Sequence, residues 1–411
     1  MATTMLIDDS ALHKHALARL EAADKALAYA DHSHLKDVHQ SEDITEAWLT
    51  TVLSKGVPGA EVTEVRPIGG HEGMTSRSKL EVIWNEQGRA AGLPAKIFVK
   101  TTPKNPHLLE MLSMLHMAEL EVEFYNTCAN DVAEFVPVCY YARSHPGGRF
   151  IILLEVLEDR EITPHWMGDT CDIDYAYQVA IMQAKVHARF WETPRFSTDM
   201  VFVRPRSRRL GEQWLETMFH RVRKNFLASE IGLAVPQYVR EIVELWNENC
   251  DKFYAYWDTK PATIVHGDSH LGNVLQFKDG TAGFYDWQCF FKGYGFRDLS
   301  YFLMSALTVE DVKGHERKIF DTYVDTLAAE GVKVDREEAW LDYCLLALER
   351  FDSAMTSLTQ GGYGHARHAL ERQVKTLTYV LQEHDVATLM RRVLKTGSIR
   401  QDLEKVDSHA V

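Results

Sequence analysis

Up to about residue 150, the chain contains short apolar stretches that are rich in β-branched and aromatic residues. Glycine, proline and asparagine separate these stretches, so the pattern predicts antiparallel strands joined by turns. The predicted strands are Val62–Val65, Leu80–Trp84, Ile97–Val99, Pro137–Tyr141 and Arg149–Glu155. Pro146, Gly147 and Gly148 form the predicted turn between the last two strands.

Elsewhere the apolar residues recur every three or four positions, which is the spacing of one helix face. Helices are predicted over Leu12–Leu27, Ile44–Leu53, Leu108–Cys128 and Tyr175–Phe190, and in three segments between Glu310 and Arg392. Two short β-like pieces, Asn273–Phe277 and Gly283–Tyr285, interrupt the helical part. The apolar stripe over Tyr175–Phe190 is typical of a helix face that packs into a core.

A strand-rich first part followed by a helix-rich second part is typical of an α+β protein with two lobes. We expect a helical extension over residues 1–43, a small lobe with an antiparallel sheet over 44–157, and a large helical lobe over 158–411. The cleft between two such lobes is the expected position of a ligand.

Composition and charge exclude several classes of protein. The chain has 411 residues and a net charge of −14, so a role in coating nucleic acid is excluded by charge. No apolar run approaches the roughly 20 residues of a membrane span, and the polar N-terminus lacks the apolar core of a secretory signal. Six cysteines without Cys-x-x-Cys spacing indicate reduced thiols. We therefore expect a cytoplasmic protein.

The segment from Ile264 to Leu275 carries the strongest chemical pattern, a polar loop between two apolar strands. Asp268 and Asn273 lie five residues apart in this loop, and Asp286 follows at the end of the next β piece. Oxygen ligands of this kind suit Mg²⁺, and a carboxylate suits the acceptance of a proton from a hydroxyl during phosphoryl transfer. The structural alternative is a capping aspartate with two turn residues. A zinc site at His266 and His270 is a further alternative, although Gly267 argues against the helix that it needs.

The stretch His266–Asn273, followed by Asp286-Trp287, resembles the motif of the aminoglycoside phosphotransferase and choline kinase superfamily, which has the protein-kinase-like fold. The segments Glu121–Tyr125, Lys185–Trp191 and Arg297–Leu303 are similar in spacing to its ecdysteroid-kinase-like branch. The resemblance spans Val65 to Leu327. It implies Asp268 as the catalytic aspartate, Asn273 and Asp286 as ligands of Mg²⁺, and Asp298 as a buried aspartate that hydrogen-bonds the catalytic loop.

The resemblance also implies a nucleotide site in the small lobe, with ATP as the phosphate donor. Lys100 would contact the nucleotide phosphates and pair with Glu121 at a solvated mouth of the site, with Glu119 and Glu123 as rival partners. Backbone groups of Glu155 and Leu157 would meet the adenine. A glycine-rich loop between the first two strands would cover the phosphates with backbone N–H groups, through Gly70, Gly73, Met74, Thr75 and Ser76.

These expectations together describe an ATP-dependent small-molecule kinase, a phosphotransferase with an alcohol group as acceptor. The acceptor would be a small hydroxylated molecule, the resemblance to the ecdysteroid-kinase-like branch favours a hydrophobic, steroid-like alcohol, and the segment from Phe351 to His368 could shape its pocket. The alternatives are an aminoglycoside or other antibiotic phosphotransferase and, from another class, a non-catalytic binding protein with a kinase fold. The sequence predicts no nucleic-acid partner and no membrane span, and it leaves the oligomeric state open.

Overall fold

The computed structural model describes residues 37–400, apart from 55, 209–211 and 360–366, together with the isolated residues 18, 21 and 25. Most of the helix predicted over Leu12–Leu27 and part of the segment from Phe351 to His368 lie outside the described residues. Within the described ranges, none of the helices has the length and apolar character that crossing a membrane requires.

The small lobe is built on a five-stranded antiparallel sheet with the order β1-β2-β3-β5-β4. Helix α1 (Glu46–Leu53) packs against it, and α2 (Glu86–Ala90) links β2 to β3. The strands are β1 (Val62–Glu72), β2 (Ser76–Trp84), β3 (Lys96–Thr101), β4 (Cys139–His145) and β5 (Arg149–Leu154). All five strands were predicted, although β1 and β2 are longer than their apolar cores indicate.

The glycine-rich segment is not the long loop that the sequence predicts. Gly69 and Gly70 lie within β1, opposite Lys79 and Ser78 of β2, so only residues 73–75 remain to form the hairpin turn. A bulge precedes Gly69 in the register. A Cβ atom at Gly70 would lie 2.6 Å from the carbonyl oxygen of Arg77, so this close approach between strands requires a glycine.

The single helix predicted over Leu108–Cys128 is wrong. The structure has α3 (Pro106–Leu115) and α4 (Met117–Glu123), followed by a π-helical turn over Phe124–Cys128. His116 separates the two helices in the left-handed conformation, with φ of 53°. This conformation ends α3 and starts α4 in a new direction, and the apolar periodicity continues across it.

The large lobe is helical, and the apolar stripe of its first helix is buried as predicted. The described residues between 309 and 396 form four helices, not three, because a left-handed residue at Asp385 separates the last two. The helices are α5 (Ile173–Phe190), α6 (Glu212–Ala228), α7 (Glu230–Ala234), α8 (Gln237–Trp257), α9 (Phe296–Ala306), α10 (Val309–Ala329), α11 (Arg336–Thr359), α12 (Arg367–Glu383) and α13 (Val386–Thr396).

Two small antiparallel ribbons carry the loops of the large lobe that face the sheet. Strand β6 (Thr263–Val265) pairs with β9 (Phe291–Gly293), and β7 (Val274–Gln276) pairs with β8 (Ala282–Phe284). The loops after β6 and after β8 contain the acidic residues that the motif singles out.

Successive side chains of β5 point to opposite faces of the sheet and belong to two different apolar cores. Ile151 and Leu153 belong to a smaller core with Trp48 of α1, whereas Ile152 belongs to the large core of the helical lobe. Helix α4 and the turn after it also belong to the large core. The ring of Phe124 stacks on Trp287 with centroids 3.8 Å apart and an interplanar angle of 7°, so this part of the small lobe is joined to the loop after β8.

Candidate active site

The loop after β6 is held in place by the buried carboxylate of Asp298 at the start of α9. The amide of His266 donates to Asp298 Oδ2 at 2.6 Å, and the amide of Gly267 donates to Oδ1 at 3.2 Å. Ser269 Oγ donates to the Asp298 carbonyl at 3.0 Å. These contacts confirm the predicted hydrogen bonds between Asp298 and the loop backbone.

The environment of Asp298 keeps this carboxylate ionised. Burial by itself raises the pKa of Asp298, but the hydrogen bond from His187 and the charge of Arg297 outweigh it and lower the pKa to about 2. An ionised acceptor forms the stronger hydrogen bonds to backbone N–H groups. Gly267 turns the loop with φ of +85°, and a Cβ atom there would lie 2.2 Å from the Cys289 carbonyl oxygen, so a side chain is excluded.

Asp268 projects from this loop with its carboxylate partly accessible. Its side chain is 30% exposed, and Tyr301 Oη donates to its Oδ1 at 3.0 Å. Asn273 Nδ2 donates to the Asp268 carbonyl at 2.9 Å, which closes the loop. Burial by itself raises the pKa of Asp268, but His270, with Nε2 3.5 Å from Oδ2, together with His266 and Tyr301 holds it well below the ordinary value. The carboxylate is therefore ionised and able to accept a hydrogen bond.

Both ring nitrogens of His266 have partners other than a metal. Nε2 lies 2.9 Å from the Tyr285 carbonyl oxygen, and Nδ1 accepts from the Asp268 amide at 3.3 Å. The ring stacks on Phe284, and burial lowers the pKa of His266. In the described ranges, no group of three or more histidine, cysteine, aspartate or glutamate residues is placed to hold a metal ion. His266 therefore supports the loop and is not available as a zinc ligand.

Asn273 and Asp286, the predicted metal ligands, flank the ribbon of β7 and β8. The Asn273 amide nitrogen is engaged with Asp268, which leaves its Oδ1 for a ligand. Asp286 is in the left-handed conformation, with φ of 64°. Its carboxylate accepts from Lys100 Nζ at 2.9 Å and lies 3.6 Å from Arg77 Nη2. A carboxylate that attracts two cationic side chains suits a hard metal ion.

Lys100 lies between the carboxylates of Glu121 and Asp286. Its Nζ donates to Glu121 Oε2 at 2.6 Å, so Glu121 is the partner and not Glu119 or Glu123. The expectation of a solvated pair is wrong, because the side chains of Lys100 and Glu121 are only 4% and 2% exposed. The pair is covered by the sheet on one side and by α4 on the other.

The pKa values of this cluster follow from one ammonium shared by two carboxylates. Burial alone lowers the pKa of the Lys100 ammonium, but the charges of Asp286 and Glu121 outweigh it and raise the pKa. Burial raises the pKa of Glu121 to about 7 against the opposing charge of Lys100. Burial also raises the pKa of Asp286, but Lys100 and Arg77 outweigh it and hold the pKa below the ordinary value. Asp286 therefore keeps the negative charge.

A cavity of ≈ 380 Å³ lies between the sheet and the ribbon of β7 and β8. Of the predicted nucleotide-site residues, it is lined by Gly70, Lys100, Glu121, Glu155 and Leu157, and Asp286 also lines it. Sequence reasoning missed the polar residues of β2 that line the same cavity, namely Arg77, Ser78 and Lys79. The alternation of side chains along β2 does not by itself indicate that these residues line a site. The register of β2 with β3 does so, because it places Arg77 directly opposite Lys100.

The structure does not bring all the predicted nucleotide-site residues to this cavity. Gly73, Thr75 and Ser76 line neither this cavity nor its neighbour, and Met74 lines the neighbour. Their contact with phosphates stays a prediction. The Glu155 amide donates to the Val138 carbonyl at 2.9 Å, so it is already engaged and only the Glu155 carbonyl remains for a nucleotide base.

A second cavity of ≈ 340 Å³ lies against the loop after β6 and is lined by Asp268 and Gly267. Its apolar walls are rich in methionine, and its polar residues come mainly from α9 and α11. Ser353 and three other polar residues from the segment beginning at Phe351 line it, as the sequence suggested. The methionines are Met74, Met111, Met117, Met167 and Met218, and the charged residues besides Asp268 are Arg206, Arg297, Glu349, Arg350 and Asp352.

Solved structures with a similar fold include three phosphotransferases. The GDP complex of wild-type aminoglycoside 2'-phosphotransferase-IIIa is 12% identical, covering 84% of this chain and 100% of its own, with a TM-score of 0.46. Choline kinase from Cryptosporidium parvum Iowa II is 11% identical, with coverage of 84% and 94% and a TM-score of 0.48. Choline kinase from Streptococcus pneumoniae is 15% identical, with coverage of 82% and 98% and a TM-score of 0.43.

No curated protein sequence matches the chain. The model of the ecdysteroid kinase-like family matches residues 76–335, which is more than half of the chain and contains the loop after β6, Lys100, Glu121 and Asp286. The match confirms the resemblance drawn from the motifs, and the two-lobed architecture is the kinase-like fold that the resemblance implies. The chain belongs to the ecdysteroid kinase-like family.

Proposed function

We propose that this protein transfers the γ-phosphate of ATP to a hydroxyl group of a small, largely apolar alcohol. The observation that carries the proposal is that neighbouring parts of one segment line two cavities, because the loop after β6 lines one and β7, which follows it directly, lines the other. Asp268 lines the methionine-rich cavity, while Lys100 and Asp286 line the cavity next to the sheet. A phosphate donor in one cavity and an alcohol in the other would meet at this loop, and such positioning is the main requirement of phosphoryl transfer.

In this proposal Asn273 Oδ1 and the Asp286 carboxylate would hold Mg²⁺, which supplies positive charge opposite the phosphates. The attraction of Asp286 for Lys100 and Arg77 supports this assignment, because the carboxylate already favours cations. Lys100, fixed by Glu121, binds the phosphates beside the metal site. Gly70 and the carbonyl of Glu155 border the nucleotide.

Asp268 orients the acceptor hydroxyl by accepting its hydrogen bond. Because its pKa is low, Asp268 is a weak base before reaction, so the proton moves only as the oxygen–phosphorus bond forms. This order agrees with a loose transition state, in which the attacking oxygen gains little charge early. Tyr301 keeps the carboxylate in one orientation through its hydrogen bond at 3.0 Å.

The two alternatives fit less well. Aminoglycosides are cations, whereas the proposed acceptor cavity is lined by five methionines, and two of its three carboxylates are already paired with arginines. A non-catalytic binding protein would not need Lys100, Asp268 and Asp286 together in the geometry of a transfer site. We propose the cytoplasm as the compartment, because ATP is available there and the described residues form no disulfide bond. We also propose that residues 44–157 form the small lobe and residues 158–411 form the large lobe.

The test is an ATP-dependent phosphorylation screen of the purified chain with Mg²⁺ against apolar alcohols, choline-like amines and aminoglycosides. Mass spectrometry detects the phosphate ester, and Asp268→Asn serves as the matched inactive variant. We expect a phosphate ester of an apolar alcohol with the parent and not with the variant. Phosphorylation of aminoglycosides alone would replace the proposed acceptor. ATP binding without any transfer across all three classes would favour the non-catalytic alternative.

A further inference from the structure

The proposed acceptor cavity contains a buried arginine that has no carboxylate partner among the described residues. Arg350 of α11 is 2% exposed and lines the cavity. Its Nη2 donates to the neutral amide oxygen of Gln373, and its Nε has no hydrogen-bond partner in the part of the chain that the structure describes. The segment 360–366, which follows α11 in the sequence, contains no aspartate or glutamate.

The carboxylates of Glu349 and Asp352, which also line this cavity, are each paired with an arginine. Arg297 Nε donates to Glu349 Oε2 at 2.7 Å. Arg223, behind the wall, holds Asp352 with two hydrogen bonds of 2.8 and 2.6 Å. Both carboxylates are therefore already neutralised. Arg350 contributes a positive charge that no described carboxylate neutralises by direct contact.

An unpaired buried charge costs several kcal/mol in folding free energy, about the cost of removing one partner from a buried ion pair. A buried charge of this kind is retained where it has a function, and the residues around it indicate what that function is. The Arg350 guanidinium carbon lies 5.0 Å from the centre of the Tyr301 ring, and the Tyr301 hydroxyl donates to Asp268. Tyr301 therefore lies next to both groups: its ring is near the unpaired guanidinium, and its hydroxyl donates to the proposed catalytic carboxylate.

We propose that Arg350 binds an oxyanion of the acceptor, so that the acceptor is an apolar hydroxylated acid and not a neutral alcohol. The inference rests on the proposed function and names its substrate class. The methionines contact the apolar body, Asp268 takes the hydroxyl, and Arg350 takes the carboxylate or sulfate. Because one tyrosine side chain links the two polar groups, the hydroxyl and the oxyanion lie within a few bonds of each other on the acceptor.

The arrangement also explains why a cationic acceptor is disfavoured. An ammonium group in this cavity would lie near the positive charge of Arg350. The carboxylate left to pair with it would be Asp268, which is needed for the hydroxyl. Like charges in a site of low dielectric repel strongly. An oxyanion instead gains a charge-assisted hydrogen bond, which is the stronger kind.

The experiment uses the full chain and matched probes in which the hydroxyl and the carboxylate are close together: 3-hydroxydodecanoate and its methyl ester, and 2-hydroxydodecanoate and its methyl ester. Phosphate ester formation gives kcat/KM, and the rise in melting temperature on adding each probe gives binding independently of turnover. The variants are Arg350→Gln and Arg350→Lys, with Arg317→Gln on the exposed side of α10 as the matched control.

We expect the parent to prefer at least one acid over its ester by about tenfold or more in kcat/KM or in binding, as expected for a charge-assisted hydrogen bond. Arg350→Gln should abolish that preference while leaving the ester within threefold, Arg350→Lys should retain part of it, and Arg317→Gln should match the parent.

The inference is overturned if the parent treats acid and ester alike, or if Arg350→Gln lowers both by the same factor, which would indicate a structural role. Transfer to neutral alcohols alone would overturn it and leave the proposed function intact. If no alcohol is phosphorylated, the proposed function fails, whereas an acid-specific, Arg350-dependent rise in melting temperature would still support the oxyanion site.

Discussion

Replacing Lys100 with methionine removes the ammonium group that lies within hydrogen-bond distance of both Glu121 and Asp286. Asp286 keeps Arg77 nearby, at 3.6 Å, whereas Glu121 is 2% exposed and loses its cation. Removing one partner of a buried ion pair costs about 3–5 kcal/mol of unfolding free energy. We expect Lys100→Met to lose stability by this amount at pH 8 and to lose phosphoryl transfer at any pH.

The loss of stability should depend on pH with a definite sign. With Lys100 present, burial raises the pKa of Glu121 to about 7, and removal of the opposing charge raises it further. Between pH 7 and pH 8 the Glu121 carboxyl of the variant therefore stays protonated in the folded state, while the unfolded chain is ionised. Stability falls by about 1.4 kcal/mol per pH unit under that condition. The destabilisation should thus be about 1.4 kcal/mol smaller at pH 6 than at pH 8.

The double variant Lys100→Met/Glu121→Gln separates stability from function. It replaces the ion pair by neutral groups, so most of the lost stability and its pH dependence should return, but transfer should not. The matched control is Lys96→Met on the same strand, whose pair with Asp159 is about half exposed on both sides and should change stability by less than about 1 kcal/mol.

Urea unfolding followed by circular dichroism at pH 6 and pH 8 measures these differences. The reasoning is refuted if Lys100→Met is as stable as the parent at pH 8, or if the double variant is less stable than Lys100→Met. Loss of stability that is equal at both pH values would refute the role of Glu121 as the group that takes up the proton.

Three further predictions concern catalysis, metal and a second buried carboxylate. Asp268→Asn should lower turnover by about 10²–10⁴-fold while nucleotide binding, measured by calorimetry, is kept; turnover within threefold of the parent would exclude Asp268 as the general base. Transfer should require Mg²⁺ or Mn²⁺ and stop with EDTA, and elemental analysis should find no stoichiometric zinc, whose presence would revive a site at His266. Burial raises the pKa of Glu119 to about 7 and leaves its Oε2 without a described partner, so the folded parent loses stability as pH rises from about 4.5 to 7. Glu119→Gln should therefore gain about 1–3 kcal/mol relative to the parent between pH 5 and pH 8 in urea unfolding, and no change in that difference would contradict the assignment.

Much of the loop after β6 could be predicted because its residues are neighbours in the sequence. Asp268 and Asn273 lie in one short loop, and Asp286 follows the next ribbon, so their spacing alone indicates a shared site. The resemblance implied Glu121 as the partner of Lys100, which the hydrogen bond confirms, but the helical pattern alone left Glu119 and Glu123 open. The phase of α4 depends on the left-handed residue His116, and the apolar periodicity does not register such a break.

Two other features depend on the tertiary structure and leave no local signal. Arg77 is informative only once the register places it opposite Lys100, because a lysine or arginine on a strand is otherwise an ordinary exposed residue. The methionine-rich cavity draws its walls from separate segments, from Met74 in the hairpin turn to Met218 in α6. Glycine-rich sequence was also misleading at Gly70, where glycine allows two strands to approach and does not form a loop.

The stacking of Phe124 on Trp287 has a consequence for how such a protein could be regulated. Phe124 follows the helix that carries Glu121, and Trp287 follows Asp286. The stacked rings therefore hold together the two segments whose carboxylates accept hydrogen bonds from Lys100. Swinging this helix outward would separate two buried aromatic rings and expose roughly 150–250 Å² of each. Switching by that movement is therefore costly. A protein with this stack would keep Glu121 and Asp286 in place around Lys100 at all times. Its rate of turnover would then follow the supply of its substrates, with no on–off signal at the helix.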